Sequence, residues 1–208
     1  MSSNIEKLGP VAFSAISEIA NIGLGKAMTS LADLTGRTFH ISIPNLDSVP
    51  VATLSEFVGG PEELCVATVM SIEGDVHGYA SFVFDWASAQ QLWKMVLGTE
   101  PAGYDQIDEL HVSMMLEFGN ILNSSFLNAI SEMTDLRLHA TPPQLGVEMA
   151  AALGYAMMCQ AAEPEHLAIT IEARLTDEDV EVSGFFIFFA DIEGLTVILN
   201  RLGISEAA

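Results

Sequence analysis

The sequence predicts an α+β fold built by duplication, in which two units related by a pseudo-twofold share one antiparallel β-sheet with helices packed on it. Three observations carry this expectation. Ser14, Glu18 and Asn21, followed by Pro44, are matched 99 residues later by Ser113, Glu117 and Asn120, followed by Pro143. Around both triplets apolar residues recur with the period of a helix, and the segments that follow switch to the two-residue period of a strand. The order helix, strand, hairpin, helix then occurs twice, over about residues 8–98 and 106–203, so residues 1–208 read as a single domain of two homologous halves.

The first helix is expected over residues 10–35, with Phe13, Ile16, Ala20, Ala27, Leu31 and Leu34 on its core side. At 3.6 residues per turn, positions i, i+4 and i+7 fall within about 60° of one another, so Ser14, Glu18 and Asn21 form one polar stripe on the opposite, outward side. Gly23 and Gly25 each weaken a helix by up to about 1 kcal/mol relative to Ala, which asks for a compensating role. Gly25, one turn beyond Asn21, is expected to let another backbone or a partner approach closely. Residues 38–43 alternate as a half-buried strand ended by Pro44, followed by a loop through Asn45, Asp47 and Pro50 and an extended segment at 51–58. Residues 64–72 and 76–84 form a hairpin, Asp85 caps a helix over 86–97, and Gly98 ends it.

A linker at 99–105 leads into the second copy. A helix over 107–134 buries Met114, Leu116, Phe118, Ile121, Leu122, Phe126 and Ile130, and a strand at 136–140 stops at Pro142-Pro143. Residues 144–160 read as a helix without equivalent in the first half. Strands at 167–175 and 180–190 make a second hairpin around residues 177–179, and a helix over 192–202 closes the chain. Phe185 to Phe189 lose alternation and belong in the sheet's buried centre, and the Met-rich segments belong in the core. The two motif helices then lie as symmetry mates, exposed on one surface.

Composition narrows the function. No run reaches the roughly 18–20 apolar residues of a membrane span, and residues 1–7 lack the features of a secretory signal, so a soluble cytoplasmic protein is expected. Twenty-eight acidic residues against seven Lys and Arg give a net charge of −21, a field that repels nucleic acid and anionic lipid. Such a Lys-poor, carboxylate-rich surface also suits a salt-rich cytoplasm, where ions screen its self-repulsion. Cys65 and Cys159 have no CxxC spacing and read as buried free thiols. His40, His77, His111, His139 and His166 show no ligand spacing and read as surface or satisfied residues. Gly23-Leu24-Gly25-Lys26 echoes a dinucleotide fingerprint but falls inside a helix, which excludes it.

The stripe itself holds no His, Cys or second carboxylate at metal-ligand spacing, and neither Ser14 nor Ser113 has a nearby base in sequence. One such stripe is usually a solvated helix face. A second copy at constant offset, with its Pro, argues otherwise. An amide can both donate and accept and so can hold a water, while a carboxylate can pair with a partner's cation. Each stripe therefore offers half of an active site.

These residues resemble the signature of the CheC-type chemotaxis phosphatases, the CheC, CheX and FliY group: Asp/Ser-x3-Glu-x2-Asn with a Pro about 22 residues on. The likeness extends through Ala20-Asn21-Ile22-Gly23, Gly119-Asn120-Ile121, Ile41-Ser42-Ile43-Pro44-Asn45 and Thr141-Pro142-Pro143-Gln144-Leu145, and covers nearly the whole chain. It implies an enzyme, a hydrolase that removes the aspartyl phosphate of the response regulator CheY in chemotaxis signalling. Glu18 and Glu117 would each pair with a Lys of the regulator, and Asn21 and Asn120 would each position the attacking water. Ser14, Pro44, Ser113 and Pro143 would support them. No cofactor or metal is expected on this chain, and Mg²⁺ is expected on the partner regulator. The resemblance further implies the receptor deamidase CheD as a partner, docking through a helix after the second motif Pro that includes Glu148. A non-catalytic adaptor that binds or sequesters a response regulator or CheD is the alternative.

Overall fold

The structure, a computed structural model, describes residues 8–160, 167–177 and 180–204. His166 and the turn at 178–179 lie outside the described residues, as do the first seven positions. Pro10, whose missing N–H is no loss in a first turn, opens α1 (Pro10–Thr35), and Gly36 ends it in the left-handed conformation. Strand β1 (His40–Pro50) runs into a 3-10 turn and the single-turn helix α2 (Leu54–Phe57). The hairpin of β2 (Leu64–Gly74) and β3 (Gly78–Asp85) leads to α3 (Trp86–Leu97), whose first turn donates from the Ser88 N–H to the Asp85 carboxylate at 2.7 Å.

The second copy begins with α4 (Glu109–Thr134) and continues through β4 (Leu138–Ala140), β5 (Gln144–Met149) and α5 (Ala150–Gln160). Strands β6 (Leu167–Asp177) and β7 (Val180–Ala190) precede α6 (Ile192–Arg201). Asp191 caps α6 by accepting from the Gly194 N–H at 2.6 Å, as Asp85 caps α3. The same local device ends both hairpins.

The strands form one seven-stranded antiparallel sheet in the order β1-β6-β7-β3-β2, with β4 and β5 sharing the far edge of β2. Each half therefore gives its first strand to the other half's hairpin: β1 pairs with β6, whereas β4 and β5 pair with β2. At the centre β3 pairs with β7, where the run Phe185 to Phe189 lies. One face carries α1, α3, α4 and α6 over the main core, in which Phe126 packs on Phe186 with ring centroids 4.2 Å apart. The other face is covered in part by the 3-10 turn, α2 and α5 over a smaller core of Val51, Leu54, Cys65, Ala67, Val83 and Ile187 among others. Helices thus pack on both faces of the sheet.

Four local expectations change. Residues 144–149 are a strand, not the start of a helix, because alternating Leu145 and Val147 against exposed Gln144 and Glu148 pair with β2 in regular register. The adjoining apolar Ala-rich run hides this two-residue period. Residues 45–50 are likewise strand, and the register shift between Ser42 and Asn45 places Pro44 at a bulge in an edge strand rather than at its end. An edge tolerates a residue without an N–H there. The segment at 51–58 is a short turn and helix before β2, which gives α5 a first-half counterpart in α2. Finally, Leu34 is 48% exposed, and of the two cysteines only Cys65 is buried while Cys159 is exposed. Burial, reinforced by the Glu63 and Asp85 charges, pushes the Cys65 thiol up to about 12.

The close approach in α1 occurs at Gly23, not Gly25. A Cβ at Gly23 would lie 2.8 Å from the Phe126 Cα of α4, whereas one at Gly25 meets nothing within 4 Å. The contact is backbone on helix, so no side chain can give way. Gly23→Ala is expected to destabilise by roughly 1–3 kcal/mol through forced separation of the two helices. Gly25→Ala is expected to stabilise by up to about 1 kcal/mol through helix propensity alone. Urea unfolding of both variants checks the pair, and equal effects at the two positions would contradict the packing.

Candidate functional site

Ser14, Glu18 and Asn21 are all exposed on α1, opposite the buried Ile16, Ile19, Ala20 and Leu24. On α4, Ser113 and Glu117 are exposed and Asn120 is half-buried, opposite Met115, Phe118 and Leu122. The amphipathic pattern alone produces this, since the helix faces that bury apolar residues turn the stripes outward. The two helices pack side by side through Gly23, and Lys26 of α1 pairs with Glu132 of α4 at their exposed seam.

Their surroundings differ. The second stripe borders a concavity lined by Ser113, Glu117 and Asn120 together with Ile107, Val112, Leu116, Pro142 and Pro143. The double Pro separates β4 from β5, and the chain is held to β2 across the gap by the Thr141 N–H donating to the Ser71 carbonyl at 2.9 Å. This anchor brings Pro143 beside Asn120. Pro44, in contrast, is exposed at its bulge.

Two residues outside the motif shape the second site. Ser124, one turn beyond Asn120, donates its hydroxyl to the Asn120 Oδ1 at 3.3 Å, which ties the amide oxygen to its own helix. Its signal was the i+4 spacing, and the counterpart position in α1 is Gly25. The second is His111, read as a surface or satisfied residue and only 7% exposed. Its ring Nδ1 lies 2.6 Å from the Asp108 Oδ1, a separation that suits donation to the carboxylate, and its backbone N–H donates to the same oxygen at 3.0 Å. The Trp93 indole N–H donates to the His111 carbonyl at 3.0 Å, so a buried aromatic fixes the start of α4. Among the described residues the other ring nitrogen, Nε2, has no partner. The Asp-x2-His spacing of a capping box was the available signal. Gly9, which caps α1, supplies no side chain.

The Asp108 carboxyl is held below its ordinary 3.8 chiefly by the His111 backbone N–H; desolvation, second in size, opposes this, and the His111 imidazole and the Leu110 N–H add smaller lowering contributions. No comparable capping carboxylate stands at α1. Among the described residues no group of three or more His, Cys, Asp or Glu is arranged to hold a metal ion, and no helix is long and apolar enough to cross a membrane. Glu148 lies exposed on edge strand β5, not on a helix.

Residues 11–46, which span the first motif through its Pro, match the model of the CheC-like family. A Bacillus subtilis protein named CheY-P phosphatase CheC is 24% identical over 194 residues, 91% of this chain and 93% of its own. These likenesses point to the CheC-like proteins. Among solved structures, FliY from Thermotoga maritima superposes with a TM-score of 0.77 at 17% identity, over 96% of this chain and 99% of that one. A CheX-CheY-BeF3-Mg²⁺ complex from Borrelia burgdorferi contains a chain that matches with a TM-score of 0.50 at 15% identity, over 82% of this chain and 96% of that one. The α+β architecture is therefore shared with FliY.

Because Asp108 titrates with a lowered folded pKa, it contributes stability that is present above its ordinary value and is lost as pH falls through the folded value. Asp108→Asn keeps a capping oxygen but removes this titration. Thermal unfolding of wild type and variant from pH 6 downward is expected to show the wild-type advantage shrinking below about pH 4. A difference between the two that does not change with pH would refute the role of the Asp108 charge.

Proposed function

We propose that this chain accelerates hydrolysis of the aspartyl phosphate on a CheY-type response regulator. The observation that carries the reading is the outward-facing Glu and Asn at matched positions on α1 and α4, Asn120 half-buried and the other three exposed, with the α4 copy bordering a concavity. The relative named CheY-P phosphatase CheC supports it over nearly the full chain.

In this reading the regulator brings the phosphorylated Asp and its Mg²⁺, and the helix stripe inserts beside it. Glu18 or Glu117, free in solvent before docking, forms a charge-assisted contact with a Lys of the regulator and fixes orientation. Asn21 or Asn120 then holds a water in line with the phosphorus. The water oxygen forms the new P–O bond as the bond to the aspartyl oxygen breaks, returning a carboxylate and inorganic phosphate. Positioning and electrostatic stabilisation meet most of the demand of phosphoryl transfer, so no acid or base from this chain is required. Ser14 and Ser113 sit one turn before each Glu as polar support, and Pro44 and Pro143 shape the adjoining strand.

A CheD-type deamidase, if it uses Glu148, would meet an exposed edge strand, so main-chain pairing with β5 would form part of the contact. A pure adaptor would need the two Glu for docking but has no use for an amide in each stripe.

Phosphate release from phosphorylated CheY tests the reading. Asn21→Ala together with Asn120→Ala is expected to lower the acceleration by about 100-fold or more while binding persists. Undiminished turnover would refute the assignment, and binding without any wild-type acceleration would favour the adaptor. In the Asn21→Ala background, Ser124→Ala is expected to lower turnover by about fivefold, the worth of one neutral hydrogen bond that orients the remaining amide. Ser124→Thr, which keeps the hydroxyl, is expected to restore it.

A further inference from the structure

On the sheet face opposite the two stripes, a cavity of about 450 Å³ lies between β2, β3 and β5 and the helix α5. Its walls are more apolar than polar, with Leu54, Val69, Leu145 and Met157 set beside Ser71, Thr141 and Gln144, and among the described residues Tyr79 is the only lining side chain that can ionise. Ser81, 1% exposed, lines it from the centre of β3, and its hydroxyl has no hydrogen-bond partner among the described residues. A buried hydroxyl left without a partner costs roughly 1–3 kcal/mol, and directly across the strand pair the facing residue is Ile187. A small apolar residue at 81 would remove that cost, so a hydroxyl at this depth points to something that hydrogen-bonds it.

We propose that this cavity is a binding site for a neutral, mainly apolar small molecule whose single hydroxyl or carbonyl is held by Ser81. The volume falls in the range of ordinary ligand sites, which combine apolar walls with a few placed polar groups. With no Lys, Arg or His lining it among the described residues, and a chain of net charge −21, an anionic ligand is disfavoured. The entrance runs beside α5, where Ala156 is exposed yet lines the cavity.

Calorimetric titration of the full chain with 1-octanol, and with octanoate as its charged counterpart, tests the proposal. Saturable binding of 1-octanol with a raised Tm is expected, together with at least tenfold weaker binding of octanoate. Ser81→Val is expected to weaken 1-octanol about tenfold without lowering the Tm of the free protein, and Ala156→Trp, a substitution at an exposed position, is expected to abolish binding by closing the entrance. Ala67→Phe fills the cavity from the sheet and serves as a second block. Absence of binding, equal binding of octanoate, or binding unchanged in Ala156→Trp and Ala67→Phe would overturn it. None of these readouts involves a phosphorylated regulator.

Discussion

Everything in this molecule depends on an exchange of edge strands. The hairpin β2–β3 is completed by β4 and β5 from the second half, and the hairpin β6–β7 by β1 from the first. Backbone donors and acceptors left unpaired at a buried edge are costly, so the halves are bound by main-chain hydrogen bonds as well as by apolar burial. The exchange also fixes where α1 and α4 can lie. Each precedes the strand that crosses over, and both are drawn onto the same face, close enough that Gly23 touches the Phe126 backbone. A side chain at that crossing would push the helices, and the stripes they carry, apart.

The two stripes share residue types but not surroundings. Around Asn120 the chain places Ser124, a capped helix start and a double Pro, whereas the corresponding positions around Asn21 hold Gly25, Gly9 and a single exposed Pro44. An amide already oriented and half-buried loses less freedom on meeting a ligand than one on an open helix face. The second stripe is therefore the better prepared of the two, and the first the more adaptable.

Much of this was legible in the chain. The spacing of apolar residues located α1, α3, α4 and α6, the Asp85 cap and both hairpins, because each is specified by neighbours a turn or a strand apart. The edge strands were harder to read. Residues 45–50 and 144–149 take their conformation from partners far away in the chain, β6, more than a hundred residues on, in the first case and β2, about eighty residues back, in the second. Local composition at 144–149 resembles the apolar run that follows it, so the pairing decides the outcome. In the candidate site, the exposure of Glu18, Asn21, Ser113 and Glu117 followed from periodicity. The partial burial of Asn120 and the buried His111 did not, since both depend on how the capped start of α4 and the β4–β5 break are held against the rest of the fold.

The strand exchange has a kinetic and evolutionary side. A chain carrying only residues 8–98 would hold a hairpin without its outer partner and a strand with nowhere to pair, so two copies would have to meet before either sheet edge closed. Joining the copies through a short linker replaces that encounter with an intramolecular one, at an effective concentration set by the linker rather than by the cell. Folding no longer depends on abundance, and each copy of the motif is free to change without obliging its twin to change with it.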